Sequence, residues 1–239
     1  MPPASMRHAA FRFRPPLSFI ILVMRVLLTA GPTYEPIDPV RFLGNRSTGK
    51  MGYALAEAFA AQGADVTLIS GPSHLPDPAS PRICTVRVET AAEMFAAATH
   101  VAAQAAVWVF AAAVADYRPA YVAQDKIKKT GETLTLELVK NVDIAATLGQ
   151  TKRPEQFAVG FALETTNELA HAQDKLHRKH FDLIVLNSLR DAGAGFGHDT
   201  NKVTVLDAAG QIVSFELQSK ADVARGLVRL IMARLAPYT

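Results

Sequence analysis

A strand, a long polar loop and a helix follow one another near the start of this chain, and this order constrains its fold more than any other feature. Val26 to Ala30 is an apolar run typical of a buried strand. Apolar residues then recur at helical spacing from Met51 to Phe59, and Gly63 ends the predicted helix. The loop between them offers amide, hydroxyl and backbone N–H donors beside glycines that permit close approach: Gly44, Asn45, Ser47, Thr48, Gly49 and Gly52. We therefore expect this loop to hold a phosphorylated anion.

Composition indicates one sizeable globular domain. Of 239 residues, 49% are hydrophobic and 20% charged, which allows a full core. The net charge of +3 comes from Arg7, Arg12 and Arg14, and the rest of the chain is balanced. A nucleic-acid partner would require a basic face on the folded part, so none is expected. The single cysteine, Cys84, lies in a strand-like run and is expected to be a buried, reduced thiol of a cytoplasmic protein.

The first 23 residues begin basic and end in an apolar run, as a secretory signal does. Arg25 interrupts that run, however, and cleavage near Thr29 would destroy the first strand. We interpret residues 1–23 as a disordered N-terminal extension and residues 24–239 as a single domain. No other apolar run is long enough to cross a bilayer, so no membrane partner is expected.

Strand-like and helix-like segments alternate along the rest of the chain. Strand-like runs occupy Asp65 to Ser70, Ile83 to Val88, Ala106 to Ala112, Phe157 to Leu163 and Leu183 to Leu186. Capping boxes predict two helices, one after Thr90 and Glu93 and one from Thr165 and Glu168 to about His180. A hairpin of Lys202 to Leu206 with Ile212 to Leu217 precedes a closing helix marked by Val223, Leu227, Leu230 and Ile231. This order predicts a doubly wound, mostly parallel Rossmann-like α/β sheet with an antiparallel edge hairpin.

In such a sheet ligands bind at the carboxyl ends of the strands, so polar residues that follow the strands are the first candidates. Asp116 follows a central strand, where a carboxylate could accept hydrogen bonds from a base or a sugar. Lys175 and Lys179 are four residues apart and share one helix face. Their spacing alone favours solvated surface cations over phosphate ligands.

The segment at about 117–140 departs from the alternation of strands and helices. Lys126, Lys128 and Lys129 lie within four residues, and Leu134, Leu136 and Leu138 alternate as in a half-buried strand. We interpret the segment as a projecting flap outside the sheet. The lysines are either part of a flap that closes over phosphate or an ordinary solvated charge run, and the residues leave both open.

Four strings, taken in order, resemble the phosphopantothenate–cysteine ligase family of bacterial coenzyme A biosynthesis, in its free-standing form. They are GPTYEPIDPVRFLGNRSTGKMG, AAVADYRP, KIKK and KNVDI, with GFALET in support. The resemblance extends from Arg25 to the C-terminus and is specific only when the strings are combined. Two departures are visible, Val142 where a proline is usual and Thr48 in place of a serine.

The resemblance implies a reaction in two steps. The carboxylate of phosphopantothenate attacks the α-phosphate of CTP and gives an acyl-cytidylate and pyrophosphate, and cysteine then displaces CMP. Mg²⁺ would be held through triphosphate oxygens rather than by protein side chains. The resemblance also implies a homodimer in which residues 117–140 act as a dimerisation arm, and a separate phosphopantothenoylcysteine decarboxylase as a possible partner.

The resemblance also implies roles for individual residues. Asn45 and Lys126 would be catalytic, Asn45 at the acyl-cytidylate and Lys126 at the triphosphate from the partner subunit. Arg41, Asn45 and Ala113 would bind phosphopantothenate. The remaining nucleotide contacts would be Ala112, Asp116, Val142, Asp143, Ile144, Ala145, Phe161, Lys175 and Lys179.

The same residues bear on other classes of protein. A nicotinamide-dependent oxidoreductase shares the predicted fold, but Gly31-Pro32-Thr33 after the first strand is not G-x-G-x-x-G. A non-catalytic nucleotide-binding protein could keep every binding residue, although intact Asn45 and Lys126 argue for an enzyme. A metal site of His171, His177 and His180 is not favoured, because only the last two have a helical spacing. Decarboxylase activity is not expected, since no flavin-binding domain precedes residue 25.

Overall fold

A computed structural model of the chain describes residues 23–129, 131–164, 166–188 and 197–235. Five helices and twelve strands lie within these ranges. In chain order they are β1 Arg25–Ala30, β2 Tyr34–Pro36, β3 Phe42–Gly44, α1 Lys50–Ala61, β4 Asp65–Ser70, β5 Ile83–Arg87, α2 Ala91–Ala102, β6 Val107–Phe110, β7 Tyr117–Pro119, β8 Leu138–Lys140, α3 Ile144–Gly149, β9 Phe157–Glu164, α4 Glu168–Arg178, β10 Leu183–Ser188, β11 Thr200–Asp207, β12 Ile212–Ser219 and α5 Lys220–Leu235.

Eight of these strands form one sheet in the order β12-β11-β10-β9-β6-β1-β4-β5. The six strands from β10 to β5 are parallel, and β11 and β12 add an antiparallel hairpin at the edge. From β1 the chain builds outward through β4 and β5, and then crosses to build the other side through β6, β9 and β10. The order therefore reverses between β1 and β6, the switch point at which such sheets bind ligands. The predicted doubly wound sheet with an antiparallel edge hairpin is confirmed.

Helices cover both faces of the sheet. Apolar residues of α1 and α5 pack on one face in a cluster that includes Leu55 and Leu227, and those of α2, α3 and α4 pack on the other around Met94 and Leu176. The central strands therefore bury apolar side chains on both faces of the sheet, as the uninterrupted apolar runs in β1 and β6 predicted. The capping box at Thr90 and Glu93 is present at the start of α2.

Helix α1 lies unusually close to β1, and a glycine makes this possible. A Cβ atom added to Gly52 would lie 2.4 Å from the Cβ of Ala30, inside the van der Waals contact distance. The first turn of α1, which borders the predicted loop, is thus held against the end of the central strand.

We expect Gly52→Ala to lower the free energy of unfolding by about 1–3 kcal/mol, because backbone must move to admit the methyl group. Chemical denaturation of both proteins measures this difference. Gly131→Ala is the matched control, since an added Cβ there meets no atom within 4 Å. Equal midpoints for Gly52→Ala and the wild type would contradict the close packing.

Two expectations from the sequence are wrong. Cys84 is exposed rather than buried. It lies on β5, which is the edge strand of the sheet and has a neighbouring strand on one side only. The alternation at Leu134, Leu136 and Leu138 does not form a strand along its length; only Leu138–Lys140 pairs, with β7. Leu134 and Leu138 are exposed, so this alternation has no buried face within one chain.

Several smaller elements were not predicted, namely β2, β3, β7 and α3. Helix α4 begins at Glu168 after Asn167, and the expected cap at Thr165 lies outside the described residues, as do residues 1–22. In the ranges that the structure describes, no helix is long and apolar enough to span a membrane.

Candidate functional site

A cavity of about 370 Å³ lies at the switch point of the sheet. Its walls come from the carboxyl ends of β1, β6, β9 and β10, from the loop before α1, from the link between β8 and α3, and from the helices on both faces. Because these parts are far apart in the chain, the cavity exists only once the sheet has formed. Eleven of the predicted site residues line it: Asn45, Ala112, Ala113, Asp116, Val142, Asp143, Ile144, Ala145, Phe161, Lys175 and Lys179.

The loop before α1 forms the wall at the end of β1. Gly49 precedes the helix in a left-handed conformation with φ of 81°, which favours glycine. Asn45 is exposed to the cavity, and its amide nitrogen donates to the carbonyl oxygens of Ala113 at 2.9 Å and Val114 at 3.1 Å. Asn45 therefore connects this loop to the chain that leaves β6. A ligand oxygen that needs the same amide hydrogens would have to replace one of these carbonyls.

The opposite wall carries two lysine–carboxylate pairs. The Nζ atom of Lys175 lies 2.6 Å from Glu164, and that of Lys179 lies 2.9 Å from Asp143. Asp143 also caps α3 by accepting from the backbone N–H of Ala146. Burial acts to raise the pKa of Asp143, but the hydrogen bonds from Lys179 and Ala146 outweigh it, so the pKa lies below its ordinary value. This wall is thus a charged network rather than a set of solvated cations.

Two predicted residues, Arg41 and Lys126, do not line the cavity. Arg41 pairs with the buried carboxylate of Asp38 and donates to the backbone oxygen of Ile127 at 3.0 Å. Asp38 accepts from the backbone N–H of Ile127 at 3.1 Å. The Arg41 guanidinium, despite burial of the carboxylate, holds the pKa of Asp38 well below its usual range. Arg41 and Asp38 therefore fix the base of the KIKK segment, while Lys126 next to it is exposed.

Sequence reasoning missed a group of polar residues at the end of the cavity formed by α1 and α5. Lys50 and Lys220 line it there, together with Asn187 and Asn201. The predicted edge hairpin could have indicated Lys220. Because β11 is antiparallel to both β10 and β12, β12 runs parallel to β10. The residue that follows β12 therefore lies at the ligand-binding edge of the sheet. Lys50 lies within the GPTYEPIDPVRFLGNRSTGKMG string but was not singled out.

Carboxylates around the cavity do not cluster as metal ligands. Within residues 23–129, 131–164, 166–188 and 197–235, no group of three or more His, Cys, Asp or Glu side chains could hold a metal ion. His171 on α4 lies 3.5 Å from Glu164, which is already paired with Lys175.

The fold and the cavity together define an α/β protein with a lysine-lined cavity at the switch point of a doubly wound sheet. Comparison with known proteins gives the particular family. The chain belongs to the family described as DNA/pantothenate metabolism flavoprotein C-terminal domain, which matches residues 22–235. The family resemblance indicated by the motifs is confirmed for this domain.

Named relatives agree with this family. The chain is 45% identical over 214 residues to the coenzyme A biosynthesis bifunctional protein CoaBC of Vibrio cholerae, covering 89% of this chain and 53% of that protein. It is 49% identical over 208 residues to a protein of an unknown prokaryotic organism named cysteine/cysteine sulfinic acid decarboxylase, covering 87% and 58%. The chain thus spans a little more than half the length of these curated relatives.

Solved structures show the same fold. The crystal structure of the C-terminal domain of CoaBC is 41% identical, with a TM-score of 0.76, and covers 90% of this chain and 96% of that one. A Cab2 mutant in complex with phosphopantothenate-cysteine is 19% identical, with a TM-score of 0.74, and covers 90% and 87%. The second likeness concerns the fold alone.

Proposed function

We propose that this chain is a ligase of coenzyme A biosynthesis that joins 4′-phosphopantothenate to L-cysteine through an acyl-cytidylate. The observation that carries the proposal is the cavity at the switch point, where the Asn45 loop meets the residues after β6 and the lysines of α4. Relatives of this domain that are named for coenzyme A biosynthesis support the choice of substrates.

The reaction requires activation of a carboxylate, which is a poor acylating agent. A carboxylate oxygen forms a bond to the α-phosphorus of CTP, and the bond from that phosphorus to the bridging oxygen breaks, releasing pyrophosphate. The amine of cysteine then forms the C–N bond, loses a proton, and CMP departs with the former carboxylate oxygen. Little proton transfer is needed in the first step, so alignment and charge neutralisation should supply the catalysis.

The residues of the cavity suit these demands. Asn45 would exchange its contact with the carbonyl of Ala113 or Val114 for an oxygen of the acyl-cytidylate. Asp116, the link at residues 142–145 and Phe161 would form the pocket for the base and ribose. Lys175 and Lys179 would exchange Glu164 and Asp143 for phosphate oxygens, to which an ammonium group forms charge-assisted hydrogen bonds.

Magnesium is proposed as a component of the nucleotide complex. The cavity is lined by lysines, and the carboxylates of Glu164 and Asp143 are engaged by two of them. This donor set suits Mg²⁺ held by triphosphate oxygens and water, a common arrangement for an ion that keeps most of its hydration shell. The metal would neutralise charge on the departing pyrophosphate.

A homodimer is proposed from the position of the flap. Lys126 is exposed and does not line the cavity of its own chain. Five apolar residues of the same segment are also exposed: Tyr117, Tyr121, Val122, Leu134 and Leu138. Pairing of two flaps would cover these side chains and bring Lys126 toward the triphosphate in the partner's cavity. A cytoplasmic location and a separate phosphopantothenoylcysteine decarboxylase, which would consume the product, complete the proposal.

Pyrophosphate release by the purified protein tests the function. Reactions contain phosphopantothenate and Mg²⁺ with CTP or ATP, each with and without cysteine, and CMP is followed in parallel. We expect release that depends on phosphopantothenate and CTP and that stops when EDTA removes the metal, with CMP formed only after cysteine is added. No release with either nucleotide, from folded protein, would instead favour a non-catalytic nucleotide-binding protein.

A further inference from the structure

The chain that leaves β6 is fixed to the chain that leaves β1. Residues 112–116, the cavity strap, line the cavity along their whole length. The backbone N–H of Ala113 donates to the oxygen of Gly31 at 2.8 Å, and Ala113 also forms an isolated parallel bridge with Pro32. The strap ends at Asp116, which is exposed and lines the cavity. The path of the strap therefore decides where the Asp116 carboxylate lies.

Three hydrogen bonds clamp the last two residues of the strap. The backbone N–H of Ala115 donates to the hydroxyl oxygen of Thr33 at 3.0 Å. The side-chain amide of Asn141 donates to the backbone oxygen of Ala115 at 2.8 Å, and its backbone N–H donates to that of Asp116 at 2.8 Å. Backbone groups on both sides of the Asp116 Cα atom are thus held in place.

Thr33 holds the strap from inside the protein. Its exposed fraction is 0%, and it does not line the cavity. Ala115 is buried as well. Without the Thr33 oxygen, the Ala115 N–H would stay buried without this acceptor, which costs more free energy than the hydrogen bond contributes. Loss of the oxygen therefore favours a shift of the strap toward the cavity, and Asp116 would move with it.

Asn141 connects the strap to a second wall of the cavity. It directly precedes residues 142–145, the link before α3 that lines the cavity opposite the strap. Its side-chain oxygen accepts from the guanidinium of Arg118 at 3.2 Å, and Arg118 also donates to the backbone oxygen of Lys140 at 2.8 Å. Asn141 therefore fixes the separation between Asp116 and this link.

We infer that Thr33 and Asn141 are positioning residues of the nucleotide site, which hold Asp116 and residues 142–145 in register and thereby set the affinity for Mg-CTP. The inference rests on the proposed ligase function, in which these two walls bind the base and the ribose. A pocket whose walls are held before the ligand arrives loses less free energy on binding. The part of the strap that contacts Asn45 is held separately by the bridge to Pro32, so the chemical step should change little.

Nucleotide binding by full-length variants tests the two residues. Titration calorimetry gives the Kd of Mg-CTP, and steady-state kinetics gives KM and kcat, for the wild type, Thr33→Val, Thr33→Ser and Asn141→Leu. We expect Thr33→Val and Asn141→Leu each to raise Kd and KM about five- to tenfold, with kcat changed less than about threefold, because each leaves a backbone group of Ala115 without its partner. Thr33→Ser keeps the hydroxyl and should restore the Kd to within about twofold of the wild type.

Gln156→Met is the matched control for the loss of a buried amide. Gln156 is 4% exposed, and its side-chain nitrogen donates to the backbone oxygens of Ala102 and Ala105, outside the cavity. This variant should lower the free energy of unfolding and leave the Kd of Mg-CTP unchanged. A rise in Kd equal to that of Asn141→Leu would show an effect of general stability and overturn the inference.

The remaining outcomes separate the positioning role from the ligase function. If Thr33→Val does not fold, Asn141→Leu decides the question alone. Unchanged Kd and KM in variants that still turn over, or a fall in kcat alone, would overturn the positioning role and leave the ligase function standing. A raised Kd in the variants of a chain that binds Mg-CTP but releases no pyrophosphate would support the positioning role and remove the ligase function. A wild type that binds no nucleotide would overturn both.

Discussion

Asn45→Asp is expected to lower the rate of pyrophosphate release by roughly a hundredfold or more while changing the Kd of CTP less than about threefold. The substitution replaces the amide donor with a carboxylate at the point where negative charge develops. It also removes the contacts to the carbonyls of Ala113 and Val114, which fix the loop against the chain that follows β6. Both effects act on the reacting centre and not on the pocket for the base.

Single-turnover kinetics with CTP and phosphopantothenate, together with calorimetry, separates these quantities. Gln62→Glu is the matched control, because it adds the same charge at the exposed end of α1, outside the cavity. Wild-type rates for Asn45→Asp would remove Asn45 from the reaction. A parallel loss of CTP affinity and rate would make it a binding residue only.

Lys126→Gln is the second large prediction, with an expected fall of about ten- to a hundredfold in cytidylate formation. The effect should be absent in Lys129→Gln, which removes the same charge three residues along the flap. Unchanged pyrophosphate release in Lys126→Gln would exclude the triphosphate contact. Equal losses in both variants would show that the flap acts through its total charge.

Mixing these two impaired variants tests whether Lys126 acts across a dimer. In an equal mixture of Asn45→Asp and Lys126→Gln chains, half of the dimers are mixed, and each mixed dimer contains one site with both residues intact. About a quarter of wild-type activity should therefore return after subunit exchange. No recovery, from dimers shown to exchange, would place Lys126 in the site of its own chain.

Local sequence predicted much of the sheet. The ends of β4 agree with the predicted strand, because the β-branched run and its flanking glycines are local signals. The short strands were not predicted, because they lack such local signals. Each of β2, β3, β7 and β8 has only three residues, too few for a periodic pattern, and is defined by its pairing, β2 with β3 and β7 with β8. Cys84 illustrates the same limit, since its exposure depends on the position of β5 in the sheet.

The features of the cavity likewise divide into those that local sequence predicts and those that depend on the tertiary structure. The loop from Gly44 to Gly52 was visible because its donors and glycines are neighbours in the chain, and the motifs around Asp116 and Asp143 were recognised as strings. The sequence by itself thus determined the order of elements, the family and eleven of the residues that line the cavity. Only the tertiary structure paired Lys175 and Lys179 with carboxylates, placed Lys126 outside its own cavity, and brought Lys220 to Lys50. These relations depend on distances between segments that the sheet brings together, and no local pattern encodes such distances.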